Sequence, residues 1–216
     1  MSKLLAPVLV FAVSACSPKA GTPEAQRADG PFTVSDFFAP SGAMGDGEVP
    51  DNLVISENSG CKDRPAGARG SCYAFAYKPV KAPPSGNGMP LFWAGVYWQH
   101  PANNWGSDPG LPIVASKVSK VSFQAAVGTG TEMLKFDIGG VADAMLANHD
   151  QFKLEQMQSV TTDWQKFEMT IPAPLDPNTP ITTLIGAFAW FANYPPMTDV
   201  AAAQLKTIYI DDLVYE

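Results

Sequence analysis

LFWAGVYWQ, residues 91–99, is the stretch that decides the fold of this chain. Successive side chains of a β-strand point to opposite faces of a sheet, so the residues divide into two sets. One set is apolar and suits a core: Phe92, Ala94, Val96 and Trp98. The other set combines flat rings with a glycine and an amide: Trp93, Gly95, Tyr97 and Gln99. The stretch therefore predicts a strand with one buried face and one face open for binding.

The loop that follows, HPANNWG at 100–106, adds two candidate binding residues, Asn104 and Trp105. Aromatic rings can cover the apolar C–H face of a pyranose, while amides orient its hydroxyl groups. Rings and amides in one short segment are therefore suited to sugar recognition. The alternative is that these rings belong to the core of a β-sandwich and that NNWG is an ordinary turn, since tryptophan is usually well buried.

Alternation of the same kind recurs along the chain. Short segments rich in β-branched and aromatic residues are separated by turns that carry glycine and proline. The clearest segments are 31–38, 52–59, 72–80, 117–127, 131–140, 163–171, 183–193 and 205–216. Residues 141–160 are ambiguous, and we expect a loop with a short helix followed by a strand near 153–160. About nine strands without a sustained helix predict an all-β domain, an antiparallel β-sandwich or jelly roll.

The first fifteen residues, 1–15, are typical of a signal peptide. Lys3 precedes an apolar run that is too short for a permanent membrane anchor. The run ends in VSAC, which resembles the lipobox of bacterial lipoproteins, so we expect Cys16 to be acylated. Ser17 in place of aspartate after that cysteine implies the outer membrane. The alternative is an ordinary secretory signal with a chance cysteine.

The remainder divides into a tether and one domain. Residues 16–30 are small, polar and proline-containing, which predicts a flexible tether. Residues 31–216 are long enough for a single domain with a sizeable core. The formal net charge of −7 argues against nucleic acid and anionic lipid as partners, because both require clustered positive charge. No GxGxxG or Walker loop occurs in the sequence, so nucleotide binding has no support.

The remaining cysteines, Cys61 and Cys72, form an even pair once Cys16 is assigned to the lipid. A disulfide between them would stabilise the domain by constraining the unfolded chain, by roughly 2–4 kcal/mol. Zinc is the alternative, but two cysteines without a nearby histidine are too few ligands for a closed tetrahedral site.

Three segments resemble carbohydrate-binding modules of the galactose-binding-like β-jelly-roll class. They are the ending TIYIDDLVYE, the segment TTDWQKFEMTIPA, and KVSFQAAV followed by EMLKFDIGG. The resemblance covers roughly residues 32–216, and the order of these segments along the chain carries more weight than any one of them. The resemblance implies a jelly roll that binds a polysaccharide or other glycan without catalysis.

The resemblance implies, first, a structural calcium ion. An acidic residue near the first strand and the paired aspartates of the last strand would supply hard oxygen ligands. The matching positions are Asp36, Asp46, Asp211 and Asp212. The chain departs from the pattern at DFFAPSG, where an expected carboxylate is missing. The alternative is that these aspartates simply cap the end of a strand.

The resemblance implies, second, a glycan site on the concave sheet face or the loops at its rim. We expect Trp93, Tyr97 and Gln99 on one strand, with the remaining side chains on neighbouring strands and in the loop. The full predicted set is Trp93, Tyr97, Gln99, Asn104, Trp105, Gln124 and Asp137. Trp190 could join the site, but the apolar segment around it favours the core.

Catalysis has little support in the sequence. The only histidines, His100 and His149, lie in no recognisable arrangement with a nucleophile or metal. Four acids could include a glycosidase pair, but spacing does not show that any two face each other. They are Glu132, Asp137, Asp143 and Asp150.

We therefore predict a non-catalytic, lipid-anchored, monomeric glycan-binding protein at the outer membrane. The main alternative is a structural or adhesive envelope lipoprotein without a glycan site, and the next is a small glycan-active hydrolase or lyase. Solvent exposure separates the first two functions. Trp93, Tyr97 and Trp105 lining one groove would favour binding, whereas burial of all three would favour the structural protein.

Overall fold

The computed structural model describes residues 26–141, 145–172, 181–195 and 200–216. The predicted signal segment 1–15, the acylation site Cys16 and the first part of the tether lie outside these ranges. In the part of the chain that is described, no helix is long and apolar enough to cross a membrane.

The described residues form thirteen β-strands and four single-turn 3₁₀ segments, without an α-helix. The strands are β1 Phe32–Thr33, β2 Ala39–Gly45, β3 Leu53–Glu57, β4 Tyr73–Tyr77, β5 Trp93–Gln99, β6 Leu111–Val114, β7 Lys120–Val127, β8 Thr131–Gly139, β9 Lys153–Thr161, β10 Gln165–Thr170, β11 Ile181–Leu184, β12 Gly186–Asn193 and β13 Lys206–Tyr215. The all-β prediction is confirmed. The strand expected near 153–160 is β9, whereas residues 145–150 of the preceding loop form turns and bends, not a helix.

Two antiparallel sheets make up the sandwich. The first, which we name the β13 sheet, has the order β10-β7-β13-β4-β3, with β1 also pairing to β13. The second, the β5 sheet, has the order β2-β5-β12-β8-β9. Strands β6 and β11 form a small two-stranded sheet of their own. The strand that decided the prediction, β5, thus lies inside its sheet between β2 and β12.

Aromatic rings from both sheets meet between them and form the core. Trp98 and Trp190 of the β5 sheet pack edge-on against Phe75 of β4, with ring centroids 5.3 and 5.1 Å apart. Phe123 of β7 packs against Phe188 of β12 at 4.7 Å. All five of these side chains are fully buried. Strand alternation therefore assigned Trp98 to the core correctly, and Trp190 belongs there too.

Cys61 and Cys72 form the predicted disulfide. The loop that they close packs against the end of β13. Its Arg64 guanidinium donates to both carboxylate oxygens of Asp211, at 2.8 and 2.7 Å. Its Arg69 donates to Asp212 at 2.7 Å. The disulfide loop therefore delivers two cations to the terminal strand.

Candidate functional site

The outward face of the β5 sheet gathers most of the predicted binding residues. Strand register aligns its side chains in rows that run across the sheet. One row contains Tyr97, Ala189, Asp137 and Glu155. The next contains Met44, Gly95, Phe191, Lys135 and Met157. We call the surface formed by these rows, with Trp93 and Trp105 at its two ends, the candidate face.

Four aromatic rings follow one another along the candidate face. Ring centroids are 6.4 Å apart between Trp93 and Phe191, and 6.1 Å apart between Phe191 and Tyr97. A further 6.1 Å separates Tyr97 from Trp105. Trp105 is 43% exposed and Tyr97 only 4%, while Trp93 and Phe191 are half-buried. The line of rings therefore reaches solvent at Trp93, Phe191 and Trp105, and is covered at Tyr97.

Tyr97 is buried in the candidate face and forms hydrogen bonds with groups of β8. Its hydroxyl donates to the carbonyl oxygen of Gly139 at 3.2 Å and lies 3.4 Å from Oδ2 of Asp137. Burial, followed by the charge of Asp137, raises the pKa of Tyr97 far above its ordinary value. The phenol therefore stays neutral at physiological pH. Its ring packs edge-on against Trp105, so Tyr97 positions the exposed indole instead of facing a ligand.

Two lysines and two carboxylates form a network beside the rings. Lys135 Nζ lies 3.0 Å from both Asp137 and Glu155, and Lys153 Nζ lies 2.6 Å from Glu155 and 3.5 Å from Asp137. The Lys135 ammonium also sits 4.0 Å above the ring centroid of Phe191, a cation–π contact. The four charges balance, so this part of the face is polar but neutral overall.

The two carboxylates of the network differ in their environment. Burial raises the pKa of Asp137, although Lys135 and Lys153 oppose the shift. Hydrogen bonds from Lys153 and Lys135 lower the pKa of the exposed Glu155 to about 2. Oδ1 of Asp137 is buried and has no hydrogen-bond partner among the described residues. A buried acceptor of this kind is costly to leave unpaired, but its burial also closes it to a ligand that approaches from solvent.

A rim rises at the end of the candidate face that carries Trp105. The Asp150 carboxylate accepts backbone hydrogen bonds from Val141, Ile185 and Gly186 at 3.0, 2.6 and 3.1 Å. Despite these three donors, burial raises the pKa of Asp150 to about 6. The side chain of Asn148 lies within 3.4 Å of carbonyl oxygens in the 100–110 loop. The two loops are therefore joined, and Asp150 fixes them to the sheet.

Gln99 and Asn104 are fully buried, contrary to the expectation that their amides face a ligand. Gln99 Nε2 donates to the backbone oxygen of Asn104 at 2.8 Å, and its Oε1 accepts from Ser41 at 3.2 Å. Oδ1 of Asn104 accepts backbone hydrogen bonds from Gly106 and Asp108 at 2.9 and 3.1 Å. The hydrogen bonds of both amides are therefore made within the protein, where they hold the conformation of the loop that carries Trp105.

Gln124 does not join the candidate face. It lies on β7, which belongs to the β13 sheet, where it pairs with Lys166 and Asp211. The expectation that β7 is a neighbour of β5 is therefore wrong. Alternation assigns a residue to one face of its strand, but it does not say which of the two sheets the strand enters.

The four predicted calcium ligands do not assemble. Asp46 is buried and accepts hydrogen bonds from the Tyr77 hydroxyl and from two backbone amides, at 2.9, 2.7 and 2.9 Å. Asp46 is therefore remote from Asp211. Its partner Tyr77 pairs with Lys206, and along β13 Lys206 is separated from Asp211 by roughly 17 Å. Asp36 is exposed.

Arginine already satisfies the remaining two carboxylates, because Asp211 and Asp212 bind Arg64 and Arg69. In the described part of the chain, no group of three or more histidine, cysteine or acidic residues could hold a metal ion. These residues therefore do not fit calcium as the resemblance implied, and calcium binding stays a prediction without a ligand set.

Each of the described acids that were considered for catalysis has an ion-pair or hydrogen-bond partner within the protein. Glu132 pairs with Lys206, Asp137 with Lys135, and Asp150 with backbone amides. Asp143 lies outside the described residues. Nδ1 of His100 contacts the Phe37 carbonyl oxygen at 2.8 Å, and Nδ1 of His149 contacts the Leu146 carbonyl oxygen at 2.9 Å.

Sequence reasoning missed Phe191, Lys135 and Glu155 of the candidate face, and Lys153 beside them. Alternation along AFAWFAN places Phe191 on the face opposite Trp190, but nothing in the sequence showed that β12 lies between β5 and β8. The two lysines and Glu155 carry no local signal, because charged side chains on the solvent face of a strand are common.

Neither a protein-family profile nor a curated protein sequence matches the chain, whereas several solved structures are similar to it. Among solved structures, the chain is similar to the family 11 carbohydrate-binding module from Clostridium thermocellum in complex with a β-1,3-1,4-mixed-linked tetrasaccharide. The identity is 14%, the TM-score is 0.40, and the match covers 82% of this chain and 96% of that one.

The chain is also similar to the family 30 carbohydrate-binding module of a cellulosomal cellulase of Clostridium thermocellum. Here the identity is 12%, the TM-score is 0.43, and the match covers 86% of this chain and 96% of that one. Another structure of a family 30 module gives 13% identity, a TM-score of 0.44, and coverage of 86% and 98%.

Proposed function

We propose that this protein binds a glycan, without catalysis, on the outward face of the β5 sheet. The observation that carries the proposal is the line of rings that reaches solvent at Trp93, Phe191 and Trp105, beside the network of Asp137 and its lysines. Sugar recognition needs both parts, because the rings cover apolar C–H faces and the charged groups bind hydroxyls.

Each part has a distinct task in this proposal. The indoles of Trp93 and Trp105 offer apolar area to pyranose rings at the two ends of the candidate face. Glu155, whose side chain is half exposed, offers acceptor oxygens to sugar hydroxyls, and Lys135 offers donors beside it. Since the charges of the network balance, the face favours a ligand through hydrogen bonds more than through net charge.

The rival function is a structural or adhesive envelope protein. It is favoured by the burial of Tyr97, Gln99, Asn104 and Asp137, which removes four of the seven predicted contacts from solvent. It differs from the glycan-binding proposal in one measurable respect. A structural protein would retain no glycan, whatever the state of Trp93 and Trp105.

The proposal is tested with the chain from Ser17 onward on a glycan array that includes a mixed-linked β-1,3-1,4 glucan. Any ligand found is then titrated by calorimetry. Trp93→Ala and Trp105→Ala should each weaken binding by about tenfold, equivalent to about 1.4 kcal/mol. Trp164→Ala is the matched control, because this half-buried indole lies beside Tyr209 on the β13 sheet. Absence of any retained glycan would reject the proposal in favour of the structural rival.

We also propose that the protein is held at the outer membrane by a lipid on Cys16. The support is the VSAC segment behind a short apolar run, followed by serine. Metabolic labelling with a radioactive fatty acid should mark the wild-type chain and leave Cys16→Ser unlabelled. Equal labelling of both chains would contradict acylation at this residue.

A further inference from the structure

Two glycines beneath the aromatic line leave space that neighbouring rings fill. A β-carbon added at Gly45 would lie 2.8 Å from Cδ2 and Cε3 of Trp93 and 2.6 Å from its carbonyl oxygen. A β-carbon added at Gly95 would lie 2.5 and 2.8 Å from Cδ1 and Cε1 of Phe191. Unbonded carbon atoms prefer separations of roughly 3.5–4.0 Å. A side chain at either position would therefore displace a ring.

We propose that Gly45 and Gly95 are positioning residues of the glycan site, because their lack of side chains allows the rings of Trp93 and Phe191 to pack directly against the backbone of the sheet. This inference rests on the proposed function. It adds the reason why these two rings can pack close to the backbone of the sheet.

Gly45 acts on Trp93. Two carbons in the benzene part of the indole, Cδ2 and Cε3, lie where a side chain at Gly45 would be, so the indole packs directly against β2 at this point. Stacking on a pyranose depends on the orientation of the ring. A methyl group at Gly45 displaces the indole and changes the orientation that it presents to a ligand.

Gly95 acts on the polar half of the site through Phe191. The Phe191 ring leans into the space over Gly95, and the Lys135 ammonium is seated 4.0 Å above the ring centroid. The same ammonium contacts Asp137 and Glu155, each at 3.0 Å. Displacement of the ring therefore moves the lysine that holds both carboxylates in place.

The two glycines offer independent variants. Gly45 has a φ of +63°, a conformation that strains any residue with a side chain, so part of the effect of Gly45→Ala is loss of stability. Gly130→Ala is its matched control, because Gly130 has a φ of +65° and no atom near the added β-carbon. Gly95 has no positive φ, and its control is Gly30→Ala, where the added β-carbon also meets nothing.

The test measures glycan affinity and the accessibility of Trp93 separately. Gly45→Ala and Gly95→Ala should each raise Kd by about tenfold, equivalent to about 1.4 kcal/mol, while the two control variants keep the wild-type Kd. Iodide quenching is measured in a Trp105→Phe, Trp164→Phe background, where the other tryptophans besides Trp93 are buried. Quenching should rise in Gly45→Ala, because the displaced indole of Trp93 is more accessible to iodide. It should stay constant in Gly130→Ala.

The outcomes separate this inference from the proposed function. Unchanged quenching in a folded Gly45→Ala variant overturns the positioning of Trp93, whether or not a glycan binds. Wild-type affinity in Gly95→Ala overturns the positioning through Phe191, and this variant decides the matter if Gly45→Ala does not fold. If the wild type binds no glycan, the proposed function fails, and a rise in quenching still supports the arrangement of the ring.

Discussion

Arg64→Ala should destabilise the fold more than Arg69→Ala, the other substitution that removes a cation from an aspartate of β13. The Asp211 carboxylate is fully buried on β13 and receives both of its guanidinium hydrogen bonds from Arg64. Without Arg64, the donor that remains to it among the described residues is the backbone N–H of Asp212, at 2.7 Å. The buried negative charge of Asp211 would then lack the cation that offsets its loss of hydration.

The magnitude follows from the burial of the two partners. Removal of one partner of a buried ion pair costs about 3–5 kcal/mol. Arg64 is itself 37% exposed, so water screens part of this interaction and we expect about 2–3 kcal/mol. For a domain of this size that corresponds to a fall in Tm of roughly 5–10 °C. Thermal and urea unfolding of the oxidised chain measure both values.

Two further variants make the test specific. Arg69→Ala should cost no more than about 1 kcal/mol, because Arg69 is largely exposed and its partner Asp212 is partly so. Arg64→Ala combined with Asp211→Asn should recover part of the loss, since a neutral amide does not require a cation. The reasoning is refuted if Arg64→Ala unfolds within about 0.5 kcal/mol of the wild type.

Three other predictions concern pH, metal and the core. The folded-state pKa of Asp150, about 6, lies above the value near 3.9 expected when unfolded, so the free energy of unfolding should fall as pH rises from about 4 through 6. Urea unfolding across this range should show that slope in the wild type and not in Asp150→Asn; equal slopes would contradict it. Because Asp211 binds Arg64 and the predicted ligands do not assemble, Asp211→Asn should leave the difference in Tm between Ca²⁺ and EDTA unchanged from the wild type, and a smaller difference in the variant would assign calcium to Asp211. Trp98→Ala should cost about 3–5 kcal/mol, measured by the same unfolding assay, and a smaller loss would show that the core collapses around the cavity.

Strand alternation was a reliable guide wherever one face of a strand is buried. It assigned Ala94, Val96 and Trp98 to the core, and all three are buried. The physical reason is the two-residue period of a strand, which is a local property of the backbone. The disulfide was equally predictable, because the remaining cysteines formed an even pair.

Alternation was a poor guide to which outward residues remain accessible. Gln99 and Tyr97 point away from the core as predicted, yet the loops at 100–110 and 145–150 cover them. Whether a loop folds back over a sheet depends on contacts between distant segments, such as Asp150 with Ile185. Nothing in the residues near Gln99 encodes that contact.

The sequence by itself determined the all-β class, the core face of β5 and the kind of chemistry that its outer face offers. Only the tertiary structure decided that β12 and β8 lie beside β5, which brings Phe191 and Lys135 to the site and sends Gln124 to the other sheet. It also decided that arginines, and not a metal ion, neutralise the aspartates of β13. The physical reason is that periodicity acts over neighbouring residues, whereas strand order and charge pairing are set by segments far apart in the chain.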